Sequence, residues 1–96
     1  MIEVRQTSVF KKWLGKLRDR QSAGRIEARL IMIAATGNFG DSKHVGENVY
    51  ELRFHFGPGY RVYYIMRGAT AVLLLAGGDK STQSKDIDRA IALSKE

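Results

Sequence analysis

The chain has 96 residues, 44% of them hydrophobic and 27% charged, with no cysteine and two histidines. This composition predicts one globular domain, residues 1–96, with a single modest core. Disulfide and thiol chemistry are excluded, and the histidines lack the spacing of metal ligands, so we expect no metal and no cofactor. No apolar run approaches the roughly 20 residues of a membrane span. The first residues form neither a signal nor a transit peptide, and we expect a cytoplasmic protein with no membrane partner.

The formal net charge is +6, and most of it lies near the N-terminus. Residues 1–36 carry a net charge of +5, whereas residues 37–96 carry only +1. This asymmetry predicts a polyanionic partner that docks on the N-terminal third. The alternative is that these cations merely solvate helices. The candidate RNA-binding residues are Lys11, Lys12, Lys16, Arg18, Arg25 and Arg29.

The N-terminal third predicts a short strand followed by a helical hairpin. Residues 2–6 alternate weakly, and Thr7 or Ser8 can cap a helix. Apolar residues then recur at helical spacing, first over residues 10–17 and again over 26–34, and Gly37 ends the second helix. The polar residues 19–24 predict a turn between the helices. Trp13 is interpreted as a core residue because of its spacing, although its ring could instead stack on a nucleic-acid base.

The stretch from Val49 to Arg67 predicts a β-hairpin with the loop Gly57-Pro58-Gly59. Successive side chains of a strand point to opposite faces, so one face of the hairpin is apolar and the other is polar. The polar set is Glu51, Arg53, His55, Arg61 and Tyr63. We therefore expect a carboxylate, an imidazole, a phenol and two guanidinium groups on one sheet surface.

The segments around the hairpin complete the predicted fold. Residues 38–41 read as a loop and 42–45 as a short edge segment, with His44 at the surface. After the hairpin, residues 71–76 form a continuous apolar run, which predicts a strand covered on both faces. Residues 77–80 predict a flexible turn, and Ser81, Thr82 and Ser84 offer caps for a last helix. The order β-α-α-β-β-β-α predicts an α+β domain with a small, mainly antiparallel sheet.

Three segments of the chain closely resemble the RelE/ParE toxin superfamily, and in particular the HigB-type, phage-related branch of addiction module killer proteins. The segments are KKWLGKLRD, YELRFHFGPGYRVYY and VLLLAGGDKSTQSKDIDRAI. The resemblance implies a RelE-like fold, with the helical hairpin on one side of a twisted sheet and a concave basic surface on the other. It also implies the toxin of a type II toxin–antitoxin system, blocked by an antitoxin that is typically a helix-turn-helix DNA-binding protein.

The target depends on the branch that the chain resembles. The RelE and HigB branches imply a ribosome-dependent endoribonuclease that cleaves mRNA, whereas the ParE branch implies a DNA gyrase poison. A third alternative is a non-catalytic RNA-binding module. The resemblance matches basic residues at Arg53, Arg61 and Lys80. The chain departs from RelE at Glu51, where a lysine is usual, and it lacks a counterpart of the C-terminal tyrosine.

The residue types fit RNA cleavage without a metal. Such a reaction must deprotonate the 2′-oxygen, stabilise the extra negative charge of the phosphorane and protonate the 5′-oxygen. An arginine fork binds phosphate, which suits Arg53 and Arg61 for charge stabilisation. An imidazole such as His55 can transfer a proton. Glu51 is a candidate base, and Lys80 and Tyr63 are candidate acids. The alternative is a surface ion pair between Glu51 and Arg53, with His55 and Tyr63 as ordinary strand residues.

Overall fold

The computed structural model describes all 96 residues. Its elements in chain order are β1 (Glu3–Gln6), α1 (Ser8–Lys16), α2 (Arg20–Thr36), β2 (Ser42–Gly46), β3 (Val49–Arg53), β4 (Tyr60–Arg67), β5 (Ala71–Asp79) and α3 (Gln83–Ser94), with a 3₁₀ turn at Lys80–Thr82. The predicted α+β class is confirmed. The edge segment is a full strand, so the observed order is β-α-α-β-β-β-β-α, with one more strand than predicted. No helix combines the length and the apolar composition that crossing a bilayer requires.

The five strands form one mixed sheet in the order β1-β5-β4-β3-β2. β1 pairs with β5 in parallel, and every other pair is antiparallel, so the sheet is mainly antiparallel as predicted. The apolar run lies in β5 between β1 and β4. Val72 and Leu74 of this strand belong to one apolar cluster, and Leu75 belongs to a second. The prediction of a strand covered on both faces is therefore confirmed.

Helices cover both faces of the sheet. α1 and α2 pack on one face, where the larger cluster includes Phe10, Leu14, Ile26 and Leu30 from the helices and Leu52, Val62 and Leu74 from the strands. α3 packs on the other face, where the smaller cluster joins Ala90, Ile87 and Ile91 to Val49, Ile65 and Leu75. The helical hairpin is thus where it was expected. The resemblance implied a concave basic surface on the opposite side, but α3 packs on that face of the sheet.

The connection between α1 and α2 is shorter than predicted. Asp19 is the N-cap of α2, and its carboxylate accepts hydrogen bonds from the backbone N–H and the hydroxyl of Ser22. Residues 20–24 therefore form the start of α2 and not a turn. Arg20, Gln21 and Gly24 are exposed, whereas Ser22 and Ala23 are buried, and the Asp19 cap fixes where the helix begins. The Thr7 cap of α1 is confirmed, since its hydroxyl oxygen accepts from the backbone N–H of Phe10.

Gly77 and Gly78 lie inside β5 and do not form the predicted flexible turn. Both are glycines because other side chains occupy the space of a Cβ. A Cβ on Gly77 would lie 2.2 Å from the Trp13 ring, and one on Gly78 would lie 1.9 Å from an Asp86 carboxylate oxygen. Glycine in a strand often marks such a close approach. The turn that follows is closed by Asp79, whose carboxylate accepts from the backbone N–H of Ser81. Thr82 precedes α3 without a side-chain cap, because its hydroxyl bonds to Asp86 instead.

Candidate nucleic-acid interface

The register of the central hairpin aligns most of the predicted polar set. Glu51 lies opposite Tyr63, and Arg53 lies opposite Arg61, so these four side chains share one face of the sheet. The face is not open, however. Glu51, Arg61 and Tyr63 are only 1%, 3% and 0% exposed, and α3 packs over Glu51 and Tyr63. The predicted grouping on one sheet face is observed for these four residues. The prediction is wrong for His55, because β3 ends at Arg53 and His55 lies in the loop that follows.

Glu51 is the centre of a buried polar network. Its carboxylate accepts hydrogen bonds from the side-chain amide of Gln83 in the first turn of α3, at 2.9 and 3.2 Å. The Nε atoms of Arg53 and Arg61 lie 3.7 and 3.8 Å from the same carboxylate oxygen. A buried carboxylate requires such partners, because burial of an unpaired charge is strongly unfavourable. The network therefore fixes where the guanidinium groups of both arginines lie.

Tyr63 has no hydrogen-bond partner in this network. Its hydroxyl is buried and unpaired. Burial, reinforced by the negative charges of Glu51 and Asp86, raises the pKa of the Tyr63 phenol well above its ordinary value. The phenol therefore remains protonated, and Tyr63 lines none of the concavities on the surface.

The end of the hairpin forms a concavity of about 310 Å³, which we call the tip concavity. It is lined by Phe54, His55, Gly57, Pro58, Gly59, Arg61 and Lys80. Arg61 Nη1 donates to the carbonyl oxygens of Gly59 and Tyr60, both at 3.1 Å, whereas Nη2 makes no hydrogen bond within the chain. Lys80 lies beside Gly59, where an added Cβ would be 3.4 Å from that of Lys80. One guanidinium edge, one ammonium group and one imidazole thus share a single concave surface.

His55 is exposed at the rim of this concavity and is paired with Asp41. Its Nε2 atom lies 2.5 Å from an Asp41 carboxylate oxygen. This hydrogen bond, reinforced by the nearby cations, lowers the pKa of Asp41 below its ordinary value. The backbone carbonyl of Asp41 also accepts from the backbone N–H of Arg53. Asp41 therefore orients the imidazole and leaves the other ring nitrogen, Nδ1, free.

A second concavity, the α2 concavity, adjoins the first and shares Phe54 and His55 with it. Arg25 and Arg29 project into it from α2, with their guanidinium groups 3.9 Å and 4.3 Å from the ring centres of Phe56 and Phe54. Cation–π contact and a hydrogen bond from Arg29 to the carbonyl of Arg53 hold these cations beside the hairpin tip. The basic helix and the polar hairpin thus meet at His55.

The structure divides the six candidate RNA-binding residues among different surfaces. Arg25 and Arg29 line the α2 concavity, and Lys12 and Lys16 line a separate concavity with Trp13 and Arg89. Lys11 lies elsewhere, near Arg20 and Glu27. Arg18 is exposed in the link between α1 and α2 and lines none of these concavities. Trp13 packs against Phe10 and Tyr60, in agreement with its interpretation as a core residue.

Three residues of these surfaces were not predicted from the sequence. Asp41 is in a segment that reads only as a loop, Gln83 is in a cluster that reads only as helix caps, and Arg89 is one of two cations on the last helix. Neither hydrogen bond is local, since Asp41 and Gln83 are 14 and 32 residues from their partners. No periodicity or short motif could have revealed these pairings.

Comparison with known proteins places the chain in a family. Residues 12–95 match the family model "Phage derived protein Gp49-like (DUF891)", and that family belongs to the addiction-module toxin superfamily. An uncharacterized protein of Haemophilus influenzae is 44% identical over 95 residues, which cover 99% of this chain and 95% of the relative. No solved structure matches the chain. The match spans both concavities and nearly all of the fold, and the chain belongs to the Gp49-like phage-derived protein family.

Proposed function

We propose that this protein is the toxin of a type II toxin–antitoxin pair and a ribosome-dependent endoribonuclease of the HigB type. One observation carries the proposal: Arg61, Lys80 and His55 line a single concavity next to the cations of α2. Arginine and lysine bind phosphate, and an imidazole transfers protons near neutral pH. Membership of a toxin family supports the same reading. The partners would be mRNA on the ribosome in the cytoplasm and an antitoxin of the helix-turn-helix type.

The proposed reaction is an attack by the ribose 2′-oxygen on the adjacent phosphorus. His55 takes the 2′-hydroxyl proton through Nδ1, the ring nitrogen that Asp41 leaves free. The bond from the 2′-oxygen to phosphorus forms as the bond from phosphorus to the 5′-oxygen breaks. Lys80 gives a proton to the departing 5′-oxygen. The products are a 2′,3′-cyclic phosphate and a free 5′-hydroxyl.

Arg61 is proposed to stabilise the negative charge of the phosphorane. Its Nη1 is held by two backbone carbonyls and its Nε faces Glu51, so the guanidinium is oriented before RNA binds. A donor that needs no reorganisation is especially effective at stabilising developing charge. Arg53 is 35% exposed in its side chain and adds positive charge next to Arg61. Glu51 acts through these two arginines and not as a base, because it is buried away from the tip concavity.

The experiment compares two arginines of the same strand. Arg61→Ala removes a cation at the tip concavity, and Arg67→Ala removes an exposed cation at the far end of β4. A defined transcript is translated in a purified system, and its cleavage products are mapped. We expect wild type and Arg67→Ala to cleave it, and Arg61→Ala to be slower by about 100-fold or more.

Other outcomes separate the competing functions. Undiminished cleavage by Arg61→Ala contradicts the assignment of the site. Inhibition of DNA gyrase without cleavage of the transcript identifies a gyrase poison, which needs no acid and base. Normal growth on expression without an antitoxin, together with RNA binding, identifies a non-catalytic RNA-binding module.

A further inference from the structure

A third concavity of about 310 Å³ lies between α1, along its whole length, and α3, and we call it the α1/α3 notch. It is lined by Ser8, Val9, Lys12, Trp13, Lys16, Gly77 and Arg89. The open part of β5 forms its floor, because β1 pairs with β5 only as far as Leu74. The notch is therefore a feature of the tertiary structure to which two helices and a strand contribute.

The notch contains three cations and no carboxylate. Lys12 and Lys16 are four residues apart, so they lie on the same face of α1, and Arg89 reaches the notch from α3. All three are exposed, and none forms an ion pair or a side-chain hydrogen bond within the chain. Like charges at this spacing destabilise a helix slightly. A cluster of this kind, with no counter-charge in the chain, indicates an anionic ligand.

The notch and the tip concavity are separated by two aromatic rings. Trp13 packs edge-on against Tyr60 with 6.2 Å between the ring centres. Tyr60 in turn lies beside Gly57 in the hairpin loop, where a Cβ would be 3.2 Å from its ring. The notch begins at Trp13, and the tip concavity begins at Gly57. A single extended polyanion can therefore contact both surfaces across this wall.

We propose that the α1/α3 notch is a second phosphate-binding subsite for the RNA strand whose reacting phosphate lies at the tip concavity. The inference rests on the proposed function and extends it to Lys12, Lys16 and Arg89. Such contacts fix the register of a nucleic acid without reading its bases. Each phosphate neutralised by a cation of the notch releases counterions, which makes binding depend on salt concentration.

The test measures the affinity for a single-stranded RNA oligonucleotide of mixed sequence over a series of salt concentrations. The triple variant Lys12→Ala, Lys16→Ala and Arg89→Ala is compared with a control variant that carries Lys43→Ala, Arg67→Ala and Lys85→Ala. The control is matched because it also removes three exposed cations, and none of them lines a concavity. We expect the triple variant to lower the slope of log affinity against log salt by about 2, at roughly 0.7 for each contact on a single strand. The control variant should leave the slope close to the wild-type value.

The outcomes distinguish failure of the subsite from failure of the proposed function. Identical salt slopes for the triple variant and the control variant, with wild-type cleavage on the ribosome, overturn the subsite alone. RNA binding that depends on the notch, without cleavage by any variant, supports the subsite and overturns the nuclease. Absence of RNA binding by the wild-type chain overturns the subsite, and absence of cleavage on the ribosome overturns the proposed function. If the triple variant loses binding to polyglutamate but binds RNA with the wild-type dependence on salt, the notch receives an acidic protein segment and the proposal is wrong.

Discussion

The side-chain amide of Gln83 donates to both carboxylate oxygens of Glu51, and this contact joins the first turn of α3 to the middle of β3. The two residues are 32 positions apart in the chain. Glu51 is 1% exposed and lies between the guanidinium groups of Arg53 and Arg61. One buried carboxylate thus connects the packing of α3 to the orientation of both arginines. Its removal should affect stability as well as activity.

We expect Glu51→Ala to destabilise the fold by about 3 kcal/mol, because it leaves buried positive charge without a partner. Glu51→Gln should destabilise it less, since an amide oxygen can still accept from Gln83. Urea unfolding with an unchanged m-value measures both effects. Glu3→Ala is the control, because Glu3 forms an exposed ion pair with Arg5 and its loss should not change the midpoint measurably. Equal midpoints for Glu51→Ala and Glu3→Ala would show that the buried network does not stabilise the fold.

Two neighbouring tyrosines should respond differently to the loss of their hydroxyls. The Tyr63 hydroxyl is buried without a partner, whereas the Tyr64 hydroxyl shares a 2.6 Å hydrogen bond with Ser42. Tyr63→Phe should therefore be neutral or stabilising, and Tyr64→Phe should cost about 1 kcal/mol. Tyr63→Phe should also retain cleavage activity, because this phenol does not reach the tip concavity. A cleavage rate that falls with Tyr63→Phe would restore the phenol as a candidate acid.

The same tyrosines predict a loss of stability at alkaline pH. Burial raises the pKa of both phenols in the folded state, so the unfolded chain loses these protons first as the pH rises past about 10. The contribution of the two phenols to the free energy of unfolding is fully present below that pH. It is lost as the pH rises towards their pKa values in the folded state. In this range the free energy of unfolding should fall by about 1.4 kcal/mol per pH unit for each phenol. Urea unfolding between about pH 9 and pH 11, around the ordinary pKa of a phenol, measures how the free energy of unfolding depends on pH. We expect this dependence to be shallower for Tyr63→Phe than for wild type, and an identical dependence would contradict the effect of burial.

The glycines of β5 should not tolerate a side chain. In Gly77→Ala the new Cβ meets the Trp13 ring, which packs against the larger core and has little freedom to move. We expect a loss of about 1–3 kcal/mol from overpacking. Gly24→Ala is the opposite control, because no atom lies within 4 Å of the added Cβ in α2 and the helix should gain about 0.5–1 kcal/mol. Thermal unfolding of the two variants should shift in opposite directions, and a stabilised Gly77→Ala would show that Trp13 moves freely.

The two histidines provide a matched pair for the proposed proton transfer. His55→Ala should slow cleavage on the ribosome by about 100-fold or more, because it removes the proposed base. His44→Ala should not slow it, since His44 lies on the edge strand β2 and contacts Glu47 and Tyr50. Asp41→Asn should give an intermediate rate, because the amide can still orient the ring but carries no charge. Equal rates for His55→Ala and His44→Ala would exclude His55 from the chemistry.

The local elements were predictable because each depends on residues close together in the chain. The alternation on both sides of Gly57-Pro58-Gly59 predicted that Arg53 and Arg61 share one face of the sheet, and Gly57 and Gly59 adopt the positive φ angles that the turn requires. The helical spacing of Phe10, Leu14, Ile26 and Leu30 predicted the core face of the helical hairpin. The errors at residues 19–24 and 77–80 both concern element ends, where glycine and polar residues suit a turn as well as a cap or a close contact.

The sequence by itself determined the α+β class, the polar set on the hairpin and the excess of positive charge on the N-terminal third. Only the tertiary structure decided which members of the polar set are buried and which cations act together. The packing of α3 buries Glu51 and Tyr63, and the approach of α3 to α1 brings Arg89 next to Lys12. The physical reason is that alternation and helical periodicity report which face a side chain occupies, whereas burial and charge clustering depend on what another part of the chain brings to that face.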